Sequence, residues 1–168
     1  MKLQHKSLVF FFSLLISTFS FAQKKVTSPA ETVSGKINGA TITIKYGSPS
    51  VKGRAIWGAL VPYDKVWRAG ANDATTFETD KTITIEGKQL PAGKYSFFVI
   101  PNENESIIIF NKEAKQWGSY DYKASSDQLR VTVKNENGDA LVEKLEYKIM
   151  ETRIELLWEK LIIGFEVK

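Results

Sequence analysis

The chain of 168 residues contains no cysteine. That excludes disulfides, thiolate nucleophiles, thiolate metal sites and a lipid anchor on a cysteine. Histidine is nearly as scarce, because the one copy is His5, among the first residues. Without those residues nothing is left for imidazole acid–base chemistry, a Ser-His-Asp arrangement or most zinc sites. Long amphipathic helical patterns are missing, and so are runs of Lys or Arg. The net charge is only +4. Nucleic acid is therefore not an expected partner, since binding it needs a basic patch that neutralises phosphates.

What is present begins with an export signal. Lys2, His5 and Lys6 make a positive start, and Leu8 to Phe21 is apolar apart from Ser and Thr. Ser20-Phe21-Ala22 supplies small residues where a signal peptidase reads. Residues 1–22 are expected to be removed as a signal peptide, which carries off His5, Lys2 and Lys6. The charge then falls to about +2. The apolar stretch is short for a transmembrane helix and no second one follows. A secreted or periplasmic location is expected, and the lack of disulfides favours a bacterial periplasm. Residues 23–30 look like a flexible lead-in, and 31–168 like a single domain.

Within that domain the dominant period is two, the period of strands. Val33–Ile37 and Ala40–Tyr46 flank Asn38-Gly39, a hairpin signal whose two positions both need positive φ. Thr75–Thr79 and Lys81–Glu86 alternate. Tyr95–Ile100 and Ile107–Phe110 are apolar on both faces, which predicts central strands covered on both sides. Leu129, Val131 and Val133 alternate with polar residues, and Asn137-Gly138 predicts a turn into Leu141–Ile149. Ile154 to Val167 closes the pattern. Nine or ten short strands predict an all-β fold, an antiparallel β-sandwich of jelly-roll-like type with a long loop over one end.

That loop is residues 47–74, where alternation stops. A connection of this length is uncommon without a function. It holds Trp57, Tyr63 and Trp67, whose rings offer flat faces, and Arg54 and Arg68, whose guanidinium forks pair with anions or stack on rings. Asn72 adds donors and an acceptor. Arg54, Trp57, Trp67, Arg68 and Asn72 are the candidate ligand-binding residues, for a carbohydrate or another small polar ligand. The other reading is structural, with the tryptophans capping the core and an arginine fixing the loop.

Further signals are weaker. Asn102–Glu105 and Asn135–Asp139 are acidic turns without the ligand spacing of a calcium loop. Calcium stays open, yet no metal or cofactor site is assigned. No catalytic residue is assigned either. A histidine-free hydrolase would need two carboxylates across a cleft, and Asp64, Asp73, Glu78, Asp121 and Asp127 are the acids nearest the loops. Trp117-Gly118, with Tyr120 and Tyr122, is a second aromatic cluster outside a strand.

Taken in order, several uncommon residues resemble one family. They are Tyr46-Gly47-Ser48-Pro49, Lys52-Gly53-Arg54, Trp57-Gly58, Leu60-Val61-Pro62-Tyr63, Val66-Trp67-Arg68 and Gly70-Ala71-Asn72. Later come Leu90 to Tyr95, Ile100-Pro101, Phe110-Asn111, Trp117-Gly118 and Leu157 to Lys160. The pattern is similar to the domain of unknown function 2911 family. The resemblance implies a secreted protein of Bacteroidetes and related bacteria, and brings no activity, cofactor or catalytic residue with it. The expected function is a non-catalytic binding module. The alternatives are a structural or protein-interaction domain and a carboxylate-based hydrolase.

Overall fold

The computed structural model describes residues 27–168. The signal-peptide expectation and most of the lead-in lie outside the described residues. Among the described residues nine strands and one turn of 3-10 helix, Ala124–Ser126, form the regular structure. Among the described residues no helix is long and apolar enough to cross a membrane.

Strands β1 (Ala30–Ile37) and β2 (Ala40–Gly47) form the first hairpin, with Ile37 opposite Ala40. Its turn is the expected one, because Asn38 and Gly39 have φ of 49° and 78°. β3 (Thr75–Thr79) pairs with β2 after the long loop. β4 (Ile83–Ile85) and β5 (Lys88–Leu90) form a separate small hairpin around Glu86 and Gly87, again both at positive φ. β6 (Gly93–Pro101), β7 (Glu105–Asn111), β8 (Asp127–Ile149) and β9 (Arg153–Glu166) complete the main sheet. Its order is β1-β2-β3-β6-β7-β8-β9, antiparallel throughout.

One expected turn is absent. β8 runs straight through Asn137-Gly138, and neither residue takes positive φ. The pairing with β9 steps from Asn137–Leu161 to Val142–Glu159 and then to Glu146–Leu157. Extra residues on β8 at each step make the strand bulge and bend rather than reverse.

The bend lets the sheet close on itself. Residues 48–51 continue β2 and meet the second half of β8. There the Val51 N–H donates to the Glu143 carbonyl at 2.8 Å, and the Leu145 N–H to Pro49 at 2.9 Å. The Ser48 hydroxyl donates to the Leu145 carbonyl at 2.7 Å. The curled sheet thus folds over one core in the manner of a sandwich. Phe77, Phe97, Phe110 and Phe165 fill its centre, with Phe77 edge-on to Phe110 at 5.0 Å. Their burial is the main stabilising term, each aromatic removing a large apolar area from water. β6 and β7 are covered on both faces as expected. Phe98 and Ile109 point away from the core into a smaller cluster with Ala74, roofed by Val66 and Tyr122.

Candidate functional site

The 47–74 loop is tied down along its length. Trp67 exchanges two backbone hydrogen bonds with Val99, at 2.8 and 2.9 Å, and the Asp64 N–H donates to Pro101. This stretch therefore extends the sheet past the end of β3. Four of its non-glycine residues, Lys52, Asp64, Ala69 and Asn72, sit at positive φ. That conformation is costly for a residue with a Cβ and persists only where surroundings impose it.

The loop then folds back on β2. The Ala71 N–H donates to the Gly47 carbonyl. A Cβ on Gly47 would stand 2.2 Å from the Ala71 carbonyl oxygen, so only glycine allows this approach. Next, the Ala74 N–H donates to Gln116 at 3.0 Å, and Asp73 bridges to Trp117. The two aromatic-rich segments seen in the sequence are therefore neighbours at one end of the molecule.

The five candidate residues divide among three surroundings. Trp57 and Trp67 are half-buried and pack on Trp158, itself 1% exposed. Trp67 stacks on Trp158 at 5.9 Å, while Trp57 meets both rings edge-on, at 5.6 and 6.0 Å. Much of each ring face is thus occupied by another indole. Arg54 and Arg68 line a cavity of about 230 Å³, together with Trp67 and Trp158. Asn72 lies on the other side of the loop. Its side-chain amide donates to the Ser28 carbonyl at 3.1 Å, and its backbone carbonyl accepts from Arg68 at 3.4 Å.

On that other side is a groove of about 740 Å³. Its floor comes from β1, β2, β3 and β6, through Thr32, Lys45, Tyr46, Thr76 and Lys94. Its walls are residues 71–74 and 114–117. Glu31 and Asp73 bring carboxylates, Lys115 an amine and Asn72 an amide, while Gln116 turns its amide back onto Asn111 and Glu113. Trp117, 60% exposed, stands at the rim. Tyr46 turns its ring to the core side, edge-on to Tyr147 at 4.8 Å, where burial raises its phenol.

The segment that carries Trp117 is anchored by a buried amide. Asn111, 0% exposed, donates to the Lys123 carbonyl at 3.0 Å and to the Asp127 carboxylate at 2.8 Å. Its own carbonyl accepts from the Glu113 N–H and the Gln116 amide. Asp127 also accepts from the Tyr122 hydroxyl and from Arg130, at 2.7 and 2.6 Å. Burial and the Asp127 bond raise the Tyr122 phenol, and the Tyr122 bond raises Arg130.

Sequence reasoning misses Trp117 as a site candidate, since there it is only part of a second aromatic cluster. The usable signal was that a tryptophan outside any strand has no periodic reason to be buried. Of the acids considered for paired-carboxylate chemistry, Asp73 lines the groove, Asp64 accepts from Asn102, Glu78 pairs with Lys94 and Asp127 belongs to the Tyr122–Arg130 network. Among the described residues no three His, Cys, Asp or Glu side chains stand together to hold a metal ion.

Residues 28–167 match the family described as Protein of unknown function (DUF2911). The chain belongs to the DUF2911 family. No curated protein and no solved structure matches it. The matched span takes in every described strand of this DUF2911 domain, the 47–74 loop and every residue lining the two cavities except Thr27.

Proposed function

We propose that the chain is a non-catalytic binding module of the bacterial envelope, exported by its first 22 residues. It holds a carbohydrate or a similar polar ligand in the groove beneath Trp117. The observation that carries this reading is Trp117 itself, a large indole 60% exposed at the edge of a groove of about 740 Å³. A soluble domain gains by burying such a ring, and an exposed one beside a polar cleft marks a contact surface. Indoles pack on the apolar face of a pyranose, while amides, carboxylates and amines take its hydroxyls. Asn72, Asp73, Lys45 and Lys115 supply those groups here. The volume suits a ligand of two or three sugar rings, within the usual range of small-molecule sites.

The test is the melting temperature of the chain against neutral and acidic glycans, peptides and nucleotides. A ligand at about 100 times its dissociation constant adds about 2.7 kcal/mol, a shift of several degrees. A shift confined to glycans and lost in Trp117→Ala supports the reading. No shift with any glycan overturns it.

A second reading draws on the Trp57–Trp67–Trp158 cluster. There the loop only stabilises the fold, and the domain meets other proteins. Trp57→Ala with Trp67→Ala then costs several kcal/mol, in the range of about 3–5 kcal/mol for truncating a buried aromatic. That loss fits either reading, so the glycan panel discriminates between them.

A further inference from the structure

The smaller cavity, on the opposite side of the 70–72 backbone from the groove, has a different chemistry. Three cationic side chains line it, Lys52, Arg54 and Arg68, and no carboxylate does. None of the three takes part in an ion pair among the described residues, whereas Arg130 and Arg153 each do. The acid nearest in the hydrogen-bond network, Glu143, accepts from the backbone N–H of Lys52 at 3.0 Å and does not line the cavity.

The turn that carries two of the cations is fixed. Lys52 and Gly53 both take positive φ, closing a tight turn in which the Arg54 N–H donates to Val51. The Arg54 guanidinium donates from Nε to the Val51 carbonyl and from one terminal nitrogen to Ser50, at 3.1 and 2.6 Å. Those bonds fix the fork and leave its remaining donors uncommitted. Among the described residues Arg68 makes one long side-chain bond, to the Asn72 backbone carbonyl, and its Nε is buried with no partner. Three like charges around 230 Å³ also repel one another until an anion enters.

We propose that this cavity is a site for a small oxyanion, a sulfate, phosphate or carboxylate group, bound by Arg54, Arg68 and Lys52. Guanidinium forks match the planar or tetrahedral edges of such groups, and Ser50 adds a hydroxyl. The volume admits one such group, free or at the end of a larger molecule. The site stands apart from the groove and does not depend on it.

Trp67 and Trp158 line the cavity and report on it by fluorescence. The full chain is titrated with sodium sulfate, phosphate and malonate at constant ionic strength, with chloride as the balancing salt. A saturable change for one or more of the three is expected. Arg54→Gln and Lys52→Gln should each weaken it about tenfold or more, the scale of one charge-assisted hydrogen bond. Arg54→Lys keeps the charge without the fork and should fall between. Trp117→Ala should leave the titration unchanged, which separates this site from the glycan groove. The preferred anion distinguishes tetrahedral from planar ligands. A response equal to chloride, or unchanged in both Gln variants while they melt like the parent, overturns the proposal.

Discussion

The phenol of Tyr147 donates a 2.7 Å hydrogen bond to the carbonyl of Ala69, a buried residue held at φ 52°. Tyr147 lies in the second half of β8, and Ala69 lies in the long loop. This one bond therefore pins the loop that walls both cavities to the strand that closes the core. The same carbonyl accepts from the Thr75 hydroxyl at 2.9 Å.

Sharing the acceptor makes the two donors interdependent. Tyr147→Phe leaves Thr75 on the carbonyl and should cost about 1 kcal/mol, the net worth of one hydrogen bond. Thr75→Val should cost a similar amount. Together they orphan a buried carbonyl, so the double variant should lose more than the sum. The excess, a coupling of about 1 kcal/mol, is read by a denaturant double-mutant cycle. Additive losses would show that the carbonyl finds another donor.

Burial also sets the alkaline limit of stability. It raises the phenols of Tyr147, Tyr95, Tyr46 and Tyr122 above the ordinary value of 10.0, Tyr147 the most. The folded chain keeps these protons where the unfolded chain releases them. Stability from this source is therefore complete below pH 10 and falls as the pH rises further. Unfolding free energy measured across that range should decline, and Tyr147→Phe should make the decline shallower. An unchanged slope in the variant would remove Tyr147 from the account.

Much of this was legible in the sequence, and the failures share a cause. Asn38-Gly39 announced its own hairpin because a type I′ turn is a local requirement on two residues. The alternation of β2 and the two-sided burial of β6 and β7 follow from side chains two apart. The closure of 48–51 on 143–145 left no such trace, since its partners are about ninety residues apart and irregular on both sides. Asn137-Gly138 misled because the dipeptide permits a tight turn without demanding one. There β9 offered β8 a continuous partner, and the bulges absorbed the mismatch. Within the candidate site, the loop was singled out correctly as the irregular element, but its division into a Trp cluster, a cationic cavity and one wall of a groove is set by tertiary packing.

Gly47 tests whether that division depends on one close approach. Gly47→Ala drives a methyl group into the Ala71 carbonyl, a backbone atom that cannot swing aside. The 70–73 stretch must move off β2, at a cost of about 1–3 kcal/mol typical of overpacking. Since Ala71 lines both cavities, glycan and anion binding should weaken together. If both persist at full affinity, the wall is not what shapes the sites.

Asn111 should control the far wall in the same way. Asn111→Ala removes an amide that makes four hydrogen bonds and leaves the Asp127 and Lys123 acceptors short of a donor. A loss of about 2–3 kcal/mol is expected. Amide hydrogen exchange should accelerate across residues 112–123 and change little in β2. Uniform acceleration along the chain would instead mean that Asn111 supports the fold as a whole.

Trp117 and Trp67 give the sharpest contrast, because they are the same side chain at the two walls of one irregular end. Trp67 is packed on Trp158, and its backbone is paired with Val99. Trp117 is 60% exposed and belongs to neither core cluster. Trp117→Ala should therefore change stability by about 0.5 kcal/mol or less, as surface substitutions do. Trp67→Ala should cost about 2–4 kcal/mol through the void it leaves. In the groove the order reverses. Losing the indole face should cost at least about 1 kcal/mol of glycan affinity, on the scale of an aromatic contact, and Trp117→Phe should recover part of it. A Trp117→Ala chain that binds glycans as the parent does would place the ligand elsewhere. One that neither binds nor melts differently would identify Trp117 as a contact residue rather than a structural one.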